Sequence, residues 1–245
     1  MKPILVISIL LQSLVTMSQK KEAFYVYDNN WNSTSIDSAR FLLRTEQLND
    51  TCWQWDYYNF TGPLLKSEQT RDKDGNVLEG QINYYDETGF LDSTGVYKNG
   101  KRHGDFYKLR HYKDSLKYSL KYVYKDDLLV EFVELEQKKD SSKRYPDEKE
   151  SEFPGGVKRW GAYLQKKLEY PDRALRTEIQ GEVCIAFMVD AKGKVLNPYV
   201  AKSVEYSLDT ESIRIIRASG DWDPAFQNGS NVRSYKIQPI HYRLQ

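Results

Sequence analysis

The 245 residues, 40% of them hydrophobic, supply enough apolar side chain for packed cores and enough length for one large domain or two modest ones, which excludes global disorder. With 36 basic against 35 acidic residues the formal net charge is +1. No cationic surplus exists to draw in a phosphate backbone, so nucleic acid is set aside as a partner.

The N-terminus reads as an export signal over residues 1–19. Lys2 gives a short positive region, Ile4 to Val15 is mostly apolar, and Thr16-Met17-Ser18-Gln19 forms a processing zone. The competing reading is an uncleaved anchor, but a stretch interrupted by Gln12 and Ser13 is shorter than the roughly 20 residues a spanning helix needs. Export implies a periplasmic or cell-envelope location and an oxidising environment for Cys52 and Cys184. Whether the two are bridged is a matter of geometry that spacing does not give. Cys184, inside an apolar strand, is expected to be a small buried hydrophobe.

Residues 20–133 are rich in aromatics, glycine and turn residues, which predicts a mainly-β domain. Tyrosine is abundant, 19 residues against 9 Phe and 5 Trp, and suits half-buried sheet surfaces. Tyr57-Tyr58-x-x-x-Gly62-x-Leu64 recurs as Tyr84-Tyr85-x-x-x-Gly89-x-Leu91, and a degenerate third copy begins at His111-Tyr112. Asp74-Gly75 and Asn99-Gly100 are dipeptides suited to hairpin turns, because both central positions take positive φ at low cost. The segment from Gly95 to Gly104 resembles the MORN-type repeat, which implies β-hairpins stacked side by side. Such hairpins are too small to bury their own aromatic faces, and stacking provides that burial. The repeated Tyr and Leu are therefore expected to be interior packing, with a binding face of tyrosines, Lys101, Arg102 and His103 as the alternative.

Residues 134–152 carry charges of both signs, Ser141-Ser142 and Pro146, and read as a linker. Beyond it, Pro154-Gly155-Gly156 is a loop. Val157, Trp160, Leu164 and Leu168 then recur at helical spacing and predict an amphipathic helix that Tyr170-Pro171 stops. Glu182 to Val189 is apolar on both faces and is expected to be a central strand. Asp190 to Lys194 turns the chain into a second strand, Val195 to Lys202, where Pro198 argues against full pairing. Ser207 or Asp209 is placed to cap a helix carrying Leu208, Ile213 and Ile216. Asn228-Gly229 leads into the last strand, Val232 to Leu244. There Tyr235 and Ile237 alternate in one phase while Ile240, Tyr242 and Leu244 alternate in the other, which predicts a bulge or bend at Pro239. Proline donates no ladder bond, so this strand is expected at a sheet edge. Its open backbone either accepts another extended segment or is protected by Pro239, Arg233, Lys236 and Arg243.

Phe153-Pro154-Gly155-Gly156, Tyr170-Pro171, Gly181-x-Val183, Asp190-x-x-Gly193, Trp222-x-Pro224 and Pro239-Ile240 together resemble the C-terminal domain of TonB-type energy transducers, over residues 153–244. The resemblance implies an α+β domain in which helices pack on a small antiparallel sheet. It also implies an activity: gripping an extended segment of an outer-membrane receptor. Partner contacts are then expected at Lys167, Tyr170, Pro171, Arg233, Tyr235, Ile237 and Pro239. The family's motif places a Gln-Pro pair just before Tyr-Pro; here the preceding residues are Lys167-Leu168-Glu169, so the glutamine contact is not retained. The long Pro-rich spacer of true transducers is also missing from 134–152.

Only His103, His111 and His241 occur, none with a zinc-ligand partner at helical spacing, and no phosphate-cradling glycine loop appears. The expectation is a non-enzymatic envelope protein that binds a protein segment and uses no metal or small-molecule cofactor, with a homodimer as a further option. Two alternatives stand beside it: an energy transducer in outer-membrane nutrient or siderophore transport, and a scaffold acting through its hairpin repeats.

Overall fold

Alternating apolar and polar residues in the N-terminal half build one long meander. The computed structural model describes residues 22–112, 115–135 and 148–244, so the expected export signal and most of the expected linker lie outside the described residues. The meander runs through β1 (Glu22–Tyr27), β2 (Phe41–Asn49), β3 (Cys52–Asn59), β4 (Leu64–Thr70) and β5 (Leu78–Tyr85). It continues through β6 (Leu91–Lys98), β7 (Lys101–Arg102), β8 (Gly104–Tyr112), β9 (Ser115–Lys125) and β10 (Leu128–Glu134). These make a ten-stranded antiparallel sheet in chain order, with the short β7 set on β6.

The turns follow local chemistry. Asn99 and Gly100 both take positive φ, 52° and 78°, as that dipeptide predicts. At Asp74-Gly75 only the glycine does so; the loop is organised instead by the Asp72 carboxylate, which accepts from the backbone N–H groups of Asp74, Asn76 and Val77. Asp126 and Asp127 turn β9 into β10 at φ 51° and 72° without any glycine.

The segments that repeat in sequence adopt one register. Tyr58 lies opposite Leu64 and Tyr85 opposite Leu91, each just past a register shift. All four are buried.

The C-terminal half comprises α1 (Gly156–Lys167), α2 (Asp172–Arg176), β11 (Gly181–Val189), β12 (Val195–Lys202), α3 (Tyr206–Arg217), β13 (Ala225–Gln227), β14 (Ser230–Val232) and β15 (Ser234–Tyr242). Strands β12, β11 and β15 form a three-stranded antiparallel sheet in that order, which makes β11 central as its two apolar faces predict. The register of β12 on β11 shifts between Ala186 and Met188, around Asn197 and Pro198.

Three local expectations are corrected. Val157 does not share the buried face of α1: it is 87% exposed, because it sits in the opening turn and the packed face begins at Trp160. The cap of α3 is Glu205, whose carboxylate accepts from Ser207 N–H at 2.8 Å; Asp209 points inward instead. Cys184 is half-buried, on the opposite face of β11 from Val183 and Ile185, and no disulfide joins it to Cys52.

One hydrophobic core crosses from the large sheet to the small one. Leu42, Tyr58, Leu64, Tyr85 and Leu91 belong to the same cluster as Val183, Ile185, Leu208, Ile216 and Ile240. Polar contacts fix the joint. The N–H of Ser203 donates to the Gly89 carbonyl at 2.8 Å, and the N–H of Leu64 donates to Ser203 Oγ at 2.8 Å. Tyr85 donates its hydroxyl to the Val200 carbonyl at 2.9 Å, and the Arg173 guanidinium bonds both the Phe60 carbonyl and the Glu205 carboxylate. Gly89 is required here: its φ is +84°, and an added Cβ would lie 2.3 Å from the Ser203 carbonyl oxygen. At the far end of the expected linker, Lys149 and Glu152 bridge to Phe226 and Asp223.

Candidate functional site

Strand β15 is held by β11 along its whole length, from Ser234 opposite Val189 to Tyr242 opposite Gly181, and the register is unbroken. The bulge expected at Pro239 is therefore absent. The apolar phase changes for another reason: the strand has two apolar faces. Ile240 and Tyr242 are buried on the face shared with Val183, while Ile237 and Tyr235 lie on the opposite face beside Ala186 and Met188.

On its other side β15 has no strand partner among the described residues. A proline inside a ladder keeps its ring nitrogen on the unpaired side. Pro239 thus fixes which peptide groups face outward, namely those of Tyr235, Ile237, Pro239 and His241. The outward carbonyl of Pro239 is already taken by the Gln238 side-chain amide at 3.3 Å. The stretch left open is centred on Tyr235 and Ile237, where each residue offers one donor and one acceptor.

Of the predicted contact residues, the structure brings Arg233, Tyr235, Ile237 and Pro239 together on this edge. Arg233 and Pro239 are exposed, Tyr235 is 73% exposed, and Ile237 is half-buried. The other three lie elsewhere. Tyr170 is half-buried, donates its hydroxyl to the Ile179 carbonyl at 2.6 Å, and sets its ring edge-on to Tyr242 at 5.6 Å. Pro171 leads into α2, and Lys167 closes α1 with an exposed side chain and its carbonyl held by Arg214. Tyr170 therefore braces the core side of β15 near its end, and its hydroxyl is already engaged.

The edge is cationic. Arg233, Lys236 and Arg243 flank it, and His241 Nδ1 stands 3.4 Å from Glu182. Burial works against ionisation of that Glu182 carboxyl, yet the hydrogen bond and charge of Lys202, 3.1 Å away, hold it below the usual carboxylate range. Sequence reasoning missed two parts of the site: the Gln238 shield on Pro239, and the Ser234–Ser151 hydroxyl contact at 2.8 Å that pins the start of the strand. The adjacency of Gln238 and Pro239 was the only signal for the first, and nothing local signals the second.

Residues 166–244 match the model of the Gram-negative bacterial TonB protein C-terminal family. The match is confined to a minority of the chain. It takes in Tyr170-Pro171, Gly181-x-Val183, Asp190-x-x-Gly193, Trp222-x-Pro224 and Pro239-Ile240, and begins after Phe153-Pro154-Gly155-Gly156. Among solved structures, part of the chain is similar to the NMR solution structure of the Helicobacter pylori TonB C-terminal domain. That likeness has 23% identity, covers 38% of this chain and 89% of that one, and has a TM-score of 0.29. No curated protein matches.

Proposed function

We propose that the protein is a non-enzymatic, exported cell-envelope component that binds an extended segment of another protein, such as a periplasmic segment of a TonB-dependent outer-membrane receptor, as an added strand on β15. The observation that carries this reading is the one-sided pairing of β15, whose peptide groups at Tyr235 and Ile237 have no ladder partner among the described residues. Arg233, Tyr235, Ile237 and Pro239 line the docked strand, while Tyr170 and Pro171 hold the corner behind it. Each backbone hydrogen bond contributes about 0.5–1.5 kcal/mol net, so a short ladder offset by peptide ordering gives a weak, reversible grip. The cationic flank favours a segment that is neutral or acidic.

The test is an NMR titration of the whole chain, labelled on its amides, with a receptor N-terminal peptide. Shifts concentrated on Ser234–Tyr242 are expected, and a peptide N-methylated at alternate residues should produce none. No shifts on that strand at millimolar peptide, or equal binding by the methylated peptide, rules strand addition out.

A second reading rests on a different edge. Strand β10 closes the large sheet with Leu128, Leu129, Val130 and Phe132 all exposed, at 67%, 47%, 53% and 54%. Such a strand suits a scaffold that associates through its sheet, including with a second copy. Light scattering separates the two: a monomer at every concentration disfavours this reading.

A further inference from the structure

The inner face of the large sheet is of two kinds. Near the joint it is apolar and sealed against the C-terminal half, through Tyr58, Leu64, Tyr85 and Leu91. Further along the same strands it turns polar and draws away from α3 and β12, leaving a cleft of about 1060 Å³. That is at or above the roughly 300–1,000 Å³ typical of small-molecule sites.

The floor of the cleft is built from neutral amides in cross-strand rows. Gln69 Nε2 donates to Gln54 Oε1 at 3.4 Å, and the Gln81 N–H donates to Gln69 Oε1 at 3.0 Å. In the next row Asn83 Oδ1 accepts from Gln81 Nε2 at 3.1 Å and from Thr94 Oγ1 at 2.7 Å. Gln54 Nε2 is further committed to Asp56, Ser67 and the Glu68 carbonyl, and Gln81 Nε2 to Thr94 Oγ1, so these bonds fix the amide orientations and leave over chiefly the acceptor capacity of the Gln54, Gln69 and Gln81 side-chain oxygens. A sheet face that merely met water would be expected to use long charged side chains. Apart from the Arg44–Glu46 pair on β2, none lines the sheet side of the cleft.

Charge in the cleft is close to balanced. Arg44, Arg214 and Arg217 line it against Glu46 and Asp56, and against Asp209 once that buried carboxyl ionises at about pH 7 and above. Arg44 is held by Glu22, Glu46 and Asp56, and Arg214 by Glu211, which leaves Arg217 without an ion-pair partner among the described residues. The opposite wall adds apolar surface at Pro198 and Ile213. A cleft with a fixed amide floor, an aliphatic wall and little net charge fits one ligand chemistry above others. Sugar rings present hydroxyls at their edges and C–H groups on their faces, and carry no charge.

We infer that this cleft binds a neutral glycan chain, with Gln54, Gln69 and Gln81 bonding its hydroxyls, Pro198 and Ile213 contacting a ring face and Arg217 donating at the rim. The site is separate from the β15 edge and does not depend on it.

Isothermal titration calorimetry of the full chain with chitohexaose, cellohexaose and maltohexaose, and with hexagalacturonate as a charged control, tests this. At least one neutral hexasaccharide is expected to bind. Gln81→Ala, at an exposed floor residue, and Ala218→Trp, which fills the cleft from the exposed end of α3, should each weaken it about tenfold or more, the second at unchanged Tm. Ala218→Trp removes none of the floor's hydrogen bonds, so loss of binding there is not a loss of fold. Absence of heat with all three neutral sugars at millimolar concentration overturns the inference. So does binding by hexagalacturonate alone, or neutral-sugar binding that Ala218→Trp leaves intact.

Discussion

Asp209 is the residue where the joint meets titration chemistry. It is 1% exposed, accepts from the Ser203 hydroxyl and the Val204 N–H, and lies within hydrogen-bond reach of the Tyr58 hydroxyl. Burial pushes its carboxyl up to about 7. The folded protein therefore holds this proton more tightly than the unfolded chain, where the value is about 3.9. The stability so gained is complete below about pH 4 and is lost as pH rises through about 7. Asp209→Asn, which keeps a neutral side chain there, should gain Tm relative to the unaltered protein between pH 5 and pH 8. A Tm difference constant across that window refutes the assignment. Two glycines give a second comparison at this scale. Gly89 and Gly100 share nearly the same φ, +84° and +78°, but only Gly89 has a backbone oxygen where a Cβ would go. Gly100→Ala should cost about 1 kcal/mol from conformation alone, and Gly89→Ala at least about twice that, read from urea denaturation.

At the scale of elements, periodicity located nearly every helix and strand of the C-terminal half, and its failures have identifiable causes. The α1 pattern included Val157 because spacing alone cannot tell at which turn the packed face of a helix begins. Trp160→Ala should cost about 3–5 kcal/mol, whereas Val157→Lys should fall within about 0.5 kcal/mol of neutral, measured by the same denaturation. The phase change in β15 was visible but misassigned, since a sheet with two apolar faces produces the same pattern as a bulge. Edge placement followed correctly from Pro239. The brace at Tyr170 could not be separated from a contact residue, because only the fold shows its hydroxyl bonded to Ile179 and its ring against Tyr242. Ile237→Pro, which removes an outward donor without touching the β11 ladder, should abolish peptide-induced shifts while preserving far-UV circular dichroism.

For the whole molecule, composition and turn dipeptides indicated a β-rich N-terminal half and an α+β C-terminal half, but not that the two share a core. That fact depends on contacts such as Leu64 with Ser203 and Tyr85 with Val200, which no local pattern encodes. It predicts a single calorimetric transition for the full chain; two separated transitions contradict it. Those contacts also bear on how the chain reaches its native state. Leu64 and Ser203 are 139 positions apart, and the hydrogen bond between them, like most of the joint, forms only after a very large loop has closed. High contact order of this kind slows folding into the millisecond-to-second range or beyond. Throughout that interval the oily side of the large sheet waits uncovered, so attendant chaperones, low temperature or slow synthesis should raise the yield of native protein more than added ligand does.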